Sequence, residues 1–127
     1  MSNALLLLVS RILLAAVFIP AGISKFSGIE GLAGYIGSVG LPAATLLAWC
    51  AAIFEVVAGI AILVGFQTKY AALAFAAFCV FTALVFHFNP ADQMQMTMLF
   101  KNLGLAGGFL ALAAAGAGAW SVDAKRG

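Results

Sequence analysis

Residues 41–65 read LPAATLLAWCAAIFEVVAGIAILVG, an apolar run broken by a single ionisable residue, Glu55. A bilayer's hydrocarbon core is ~30 Å thick and takes about 20 apolar residues as an α-helix, so this run is long enough to cross it. A charge at the centre of such a helix costs about 2.5–3.5 kcal/mol on insertion scales. Glu55 therefore needs a partner or a role.

Three further stretches match the first: residues 4–23, 70–88 and 98–118. Backbone groups in hydrocarbon must bond within their own segment, so each span is predicted to be helical. The expected fold class is all-α: a bundle of four transmembrane helices in one membrane domain, residues 1–127, with both termini cytoplasmic. Composition agrees. Of 127 residues, 65% are hydrophobic and 8% charged, too few to coat a soluble domain. The net charge of +2 is small and scattered, which argues against nucleic acid as a partner. Cys50 and Cys79 lie within apolar runs and form no CxxC pair, so they read as small hydrophobes rather than zinc or redox ligands.

The first stretch could be read as a cleaved signal peptide. Arg11 within the run and the poor cleavage pattern Ala21-Gly22-Ile23-Ser24-Lys25 favour a retained helix. In the Gly-rich segment 24–40, Leu32, Tyr35, Ile36 and Val39 keep helical spacing, which predicts a short amphipathic turn in the membrane interface. Gly65–Lys69 reads as a tight hairpin. Asn89-Pro90 predicts a helix cap followed by a helix-compatible proline, so the last helix can start early, with residues 92–96 outside the hydrocarbon. Lys69, Lys125 and Arg126 share one side with the N-terminus, against Lys25 and Lys101 on the other, and the richer side is assigned to the cytoplasm. Tyr70 and Trp120 suit an aromatic belt there.

The ionisable residues inside the spans carry the functional signal. Arg11 lies roughly 10 Å into the first helix. Lys25, His87, Lys101 and Asn102 lie towards the outer end. Helical spacing puts Glu55 on a face with Ala51, Ala52, Ala58 and Gly59, and His87 on one with Ala72, Ala76, Cys79 and Ala83. Arg11 aligns with Ala15, Gly22 and Lys25, while Lys101 aligns with Gly104 and Gly108. Small residues mark helix–helix contact, so the polar groups are expected to converge in the bundle interior. One reading is an Arg11–Glu55 ion pair that sets helix register. The other is a ligand or proton site formed by Arg11, Lys25, Glu55, His87, Lys101 and Asn102. Two or three cations against one carboxylate then favour an acidic or electron-rich ligand, such as a quinone head group or a small oxyanion.

Metal centres are disfavoured. Met94, Met96 and Met98 could hold Cu(I) in an extended loop, but a helix turns Met96 away from the other two. Haem in a four-helix bundle generally takes two axial ligands, and His87 is the only histidine.

The same residues carry a family resemblance. Arg11 is followed by Gly22-Ile23-Ser24-Lys25, then Leu41-Pro42, then Glu55-Val56-Val57-Ala58-Gly59 running to Gly65. His87 closes the third span, and Phe100-Lys101-Asn102-Leu103 leads to Gly107-Gly108. In order and spacing over nearly the whole chain this resembles the DoxX family of small membrane proteins. The resemblance implies a four-helix bundle in the bacterial cytoplasmic (inner) membrane. It also implies a link to oxidoreductase assemblies, among them the membrane subunit of a thiosulfate:quinone oxidoreductase and complexes handling oxidative stress. Relatives occur in methylamine utilisation operons. The leading expectation is a redox-associated subunit that binds a partner oxidoreductase, and quinone at the polar cluster, alone or as a homo-oligomer. Two other readings stand beside it: a scaffold without activity of its own, and a small anion transporter guided by Arg11, Lys25 and Lys101. Four helices are few for a transporter and no broken inverted repeat is evident.

Overall fold

The computed structural model describes residues 2–126, and every regular element among them is a helix. In chain order these are α1 (Asn3–Phe26), α2 (Ile29–Ser38), α3 (Ala44–Val64), α4 (Thr68–Phe86), α5 (Gln93–Ala115) and α6 (Val122–Arg126). Helices α1, α3, α4 and α5 are long and apolar enough to cross a membrane. The short α2 occupies the segment with amphipathic spacing and buries Ile36. Helix α5 begins at Gln93, and its cap is Asp92 rather than Asn89. The Asp92 carboxylate accepts from the amides of Met94 and Gln95, at 3.0 and 3.3 Å. The Asn89 side chain is taken up by the amide of Ala91, a local turn that delays the helix. At the other end α5 stops at Ala115, because Gly116 and Gly118 take positive φ and fold the chain back.

The spans pack as two close pairs, α1 on α3 and α4 on α5. Missing side chains set the first pair. A Cβ on Gly22 would lie 2.9 Å from Glu55 Cβ and 3.0 Å from the Ala52 carbonyl, and one on Gly59 would lie 2.8 Å from Ile19. In the second pair, Ala72, Ala76, Cys79 and Ala83 of α4 are buried, as are Ala106, Phe109 and Ala113 of α5. The pairs meet through a layer of phenylalanines. Phe75 stacks on Phe109 at 4.8 Å and packs on Phe18 at 4.5 Å, while Phe54 meets Phe75 at 4.8 Å and Phe78 at 5.2 Å. Such contacts drive association in lipid, where burial of apolar surface offers no gain.

Both termini lie at one end of the bundle, where Leu7 packs beneath Gly118. There Arg11, completely buried, donates through Nη1 to the Leu63 carbonyl at 2.9 Å and through Nη2 to the Trp120 carbonyl. The carbonyls in the last turn of α3 lack partners within the helix and carry its negative dipole end, so a guanidinium suits them. Gly65 makes room for it. Its φ of +74° closes α3, and an added Cβ would lie 2.6 Å from Arg11 Nη1 and 2.5 Å from Ser121 Cβ. Phe66 donates to the Ala61 carbonyl at 2.8 Å, which completes the helix stop.

The C-terminal segment also caps α4. The Asp123 carboxylate accepts from the amides of Gln67 (2.7 Å) and Thr68 (2.9 Å), and the Asp123 amide donates to the Gly65 carbonyl at 2.8 Å. Partial burial disfavours the charged carboxylate. The amide hydrogen bonds and the Arg126 charge outweigh it, so Asp123 titrates below the ordinary aspartate range.

Two outcomes follow from this packing. Gly22→Ala wedges α1 from α3 and lowers stability by about 1–3 kcal/mol, read as a lower melting temperature in detergent. Gly34→Ala, at a position with nothing within 4 Å, lowers nothing. Asp123 adds stability fully above the unfolded-state pKa of ~3.9 and loses it as pH falls through its lower folded value. Melting temperature from this group is thus flat between neutral pH and about 5 and falls below ~4. Asp123→Ala removes that acid limb and costs about 0.5–2 kcal/mol at neutral pH.

Candidate functional site

Between the two helix pairs, at the end away from the termini, lies a cavity of about 870 Å³. Phe18, Phe54 and Phe78 of the aromatic layer form its floor, and Leu32, Tyr35 and Ile36 of α2 line it from above. The Tyr35 hydroxyl donates to the Phe86 carbonyl at 2.9 Å and its ring packs on Phe86, which ties α2 to the end of α4. Apart from the Tyr35 hydroxyl and the thiols of Cys50 and Cys79, the walls are apolar except for Lys25, Glu55, Thr82, His87 and Asn102. Pockets of 300–1,000 Å³ with a few placed polar groups are the usual form of small-molecule sites.

Each polar group has a local reason for its place. Gly22 admits Glu55 against the α1 backbone. Lys25, one turn further along the same face of α1, reaches it, with Nζ 2.8 Å from Glu55 Oε2. The Glu55 side chain is 4% exposed and that of Lys25 28%, so the carboxylate is buried and the pair reaches the surface through the lysine. His87 follows the last turn of α4, and its Nδ1 lies 2.8 Å from Gln95 Oε1. An amide oxygen only accepts, so Nδ1 carries the hydrogen and Nε2 of the neutral ring is left as an acceptor. Asn102 donates to the Thr82 hydroxyl at 3.1 Å, while that hydroxyl donates back to the Phe78 carbonyl at 2.9 Å. The amide oxygen of Asn102 is left free by this arrangement.

Of the six residues expected to converge, Lys25, Glu55, His87 and Asn102 line the cavity. Arg11 and Lys101 do not. The expected Arg11–Glu55 pair is replaced by Lys25–Glu55, because Arg11 lies level with Leu63 and Glu55 level with Gly22. That is a separation of 11 residues, ~16 Å along α1. Lys101 is exposed on α5, and its companion Gly104 has no neighbour within 4 Å. The expected surplus of positive charge therefore does not arise. Lys25 is the one lysine or arginine lining the cavity and Glu55 the one carboxylate.

Thr82, Gln95, Tyr35 and Met98 belong to the site but carried no decisive sequence signal. Thr82 is the one serine or threonine within the third apolar run, a cue that a polar partner faces it. Gln95 sits beyond a loop from His87, and its reach depends on where Asp92 starts α5. Cys79 also lines the cavity, and Cys50 stands exposed at its α3/α4 edge.

Removing one member of the ion pair tests whether it is a unit. Lys25→Met strands a buried carboxylate and is expected to cost about 3 kcal/mol, whereas Lys25→Met with Glu55→Met recovers most of that loss. Thermal unfolding of the three proteins in the same detergent checks it.

Comparison with known proteins places the chain in a family. The DoxX family profile matches residues 6–88. Inner membrane protein YqjF of Escherichia coli (strain K12) is 42% identical over 116 residues, 91% of this chain and 88% of that protein. Inner membrane protein YphA of the same organism is 36% identical, covering 98% of this chain and 92% of YphA. "Putative oxidoreductase CatD" of Bacillus subtilis (strain 168) is 33% identical over 69 residues, 54% of this chain and half of CatD. No solved structure matches the chain. Four apolar helices and inner-membrane relatives along nearly the whole length describe a multi-pass inner-membrane protein. The chain belongs to the DoxX family.

Proposed function

We propose that this protein is a redox-associated membrane subunit whose cavity receives the head group of a quinone, working beside a partner oxidoreductase that supplies or removes the electrons. The observation that carries the reading is the composition of the cavity: apolar and aromatic walls, one internally neutralised ion pair, and separate donors and acceptors at Lys25, Asn102 and His87. A neutral ring with two carbonyl oxygens suits such a chamber. The carbonyls accept hydrogen bonds, the ring packs on phenylalanine, and no net charge is brought in.

An oxyanion fits less well. It would need cation surplus to its own counter-ions, and burial of an unbalanced charge is costly. Arg11 is committed to backbone carbonyls at the opposite end and Lys101 faces outward, so the anion-path reading loses two of its three cations. The redox association draws further support from the relative named as an oxidoreductase. Lys69, Lys125 and Arg126 lie at the end carrying both termini, and we set that end in the cytoplasm. The cavity then lies in the outer half of the membrane.

A short-chain quinone or quinone-like inhibitor is expected to raise the melting temperature of the purified protein, by up to about 2.7 kcal/mol of linkage stabilisation at a hundredfold excess over Kd. Glu55→Gln is expected to abolish the rise. Absence of any shift at saturating ligand in the wild type overturns the reading.

A further inference from the structure

A second space adjoins the cavity at its α3/α4 edge. It is an apolar groove of about 620 Å³ that runs along the bilayer-facing seam between α3 and α4, and Cys50 and Phe54 line both. From Cys50 the groove follows Ile53, Val57, Ala61 and Val64 of α3 and is bordered by Ala71 of α4. Its cause lies in the packing. Helices α3 and α4 are joined by a short turn at Gly65–Gln67, but each packs chiefly on its own partner, α1 or α5, and the seam between them is left unfilled.

The two spaces adjoin at Cys50 and Phe54 and differ in chemistry. Lys25, Glu55, His87 and Asn102 stand in the chamber, and only apolar atoms face the groove, a long arm down to the hairpin. Cys50 to Val64 is 14 residues, ~21 Å of helix, about two thirds of the ~30 Å hydrocarbon thickness. A compact soluble ligand would leave that arm empty. An amphiphile with a neutral head and one long apolar chain fills both.

Resting on the quinone reading of the chamber, we infer that the ligand is an isoprenoid-tailed quinone that enters sideways from the bilayer between α3 and α4. Its tail lies in the seam and points towards the end carrying the termini. A phospholipid is the competing occupant, and its phosphate would bring net negative charge to a chamber whose lysine already has a carboxylate partner.

The test is a tailed quinone with a diazirine at the far end of the chain, applied to the full-length protein in lipid nanodiscs and mapped by mass spectrometry. Labelling is expected on Val57–Val64 and Phe66, competed by tail-less quinone and absent in Glu55→Gln. Val57→Trp, which fills the groove from an exposed position, should cut seam labelling about tenfold while leaving the melting shift with tail-less quinone intact. Labels on α1 or α5, or spread evenly, with that melting shift preserved, overturn the groove assignment and leave the chamber reading standing. No seam label and no melting shift overturn both. Equal seam labelling by a phospholipid carrying the same diazirine overturns the choice of a quinone tail.

Discussion

The close approach of α1 and α3 at Gly22 and Gly59 sets the register on which the rest of the structure depends. Two antiparallel helices that slide by one turn move every facing pair by about 5.4 Å. Here the register places Glu55 under Gly22 and within reach of Lys25, and it brings the end of α3 level with Arg11. Two cations of one helix are thereby divided between two tasks at opposite ends of the bundle. One neutralises a carboxylate in a cavity and the other closes the terminal end on backbone carbonyls.

That division separates architecture from site. At the terminal end, Arg11 and Asp123 tie α3, α4 and the C-terminal segment together by hydrogen bonds to backbone carbonyls and amides. At the other end, beyond the phenylalanine layer, the two helix pairs leave a space bounded by groups with spare hydrogen-bonding capacity. The aromatic layer lies between the two regions. It holds the pairs together through dispersion and ring contacts, and it keeps the terminal end from sharing in the cavity.

The charge balance of the cavity illustrates how a tertiary detail redirects a functional inference. Counted along the sequence, several cations confront one carboxylate and an anion looks welcome. Arranged in space, Lys25 and Glu55 cancel while Arg11 and Lys101 are elsewhere, and the preference moves to a neutral acceptor. The apolar groove beside the cavity extends the point: under the proposed reading a tail would lie there while the head occupies the chamber.

By itself the sequence determined the membrane class, four spans, the amphipathic segment that became α2, and the faces on which Glu55, His87 and Arg11 lie. Those properties follow from hydrophobic run length and a 3.6-residue period, both local. Only the tertiary structure decided which polar residues meet. Counted from the helix ends, Arg11 and Glu55 stand at similar depths, eight and nine residues in. Helix α1, however, runs about two turns past the end of α3, a stagger set by where glycine lets the backbones touch. Periodicity fixes the direction in which a side chain points, but its level along a bundle belongs to the packing of two helices and to neither sequence alone.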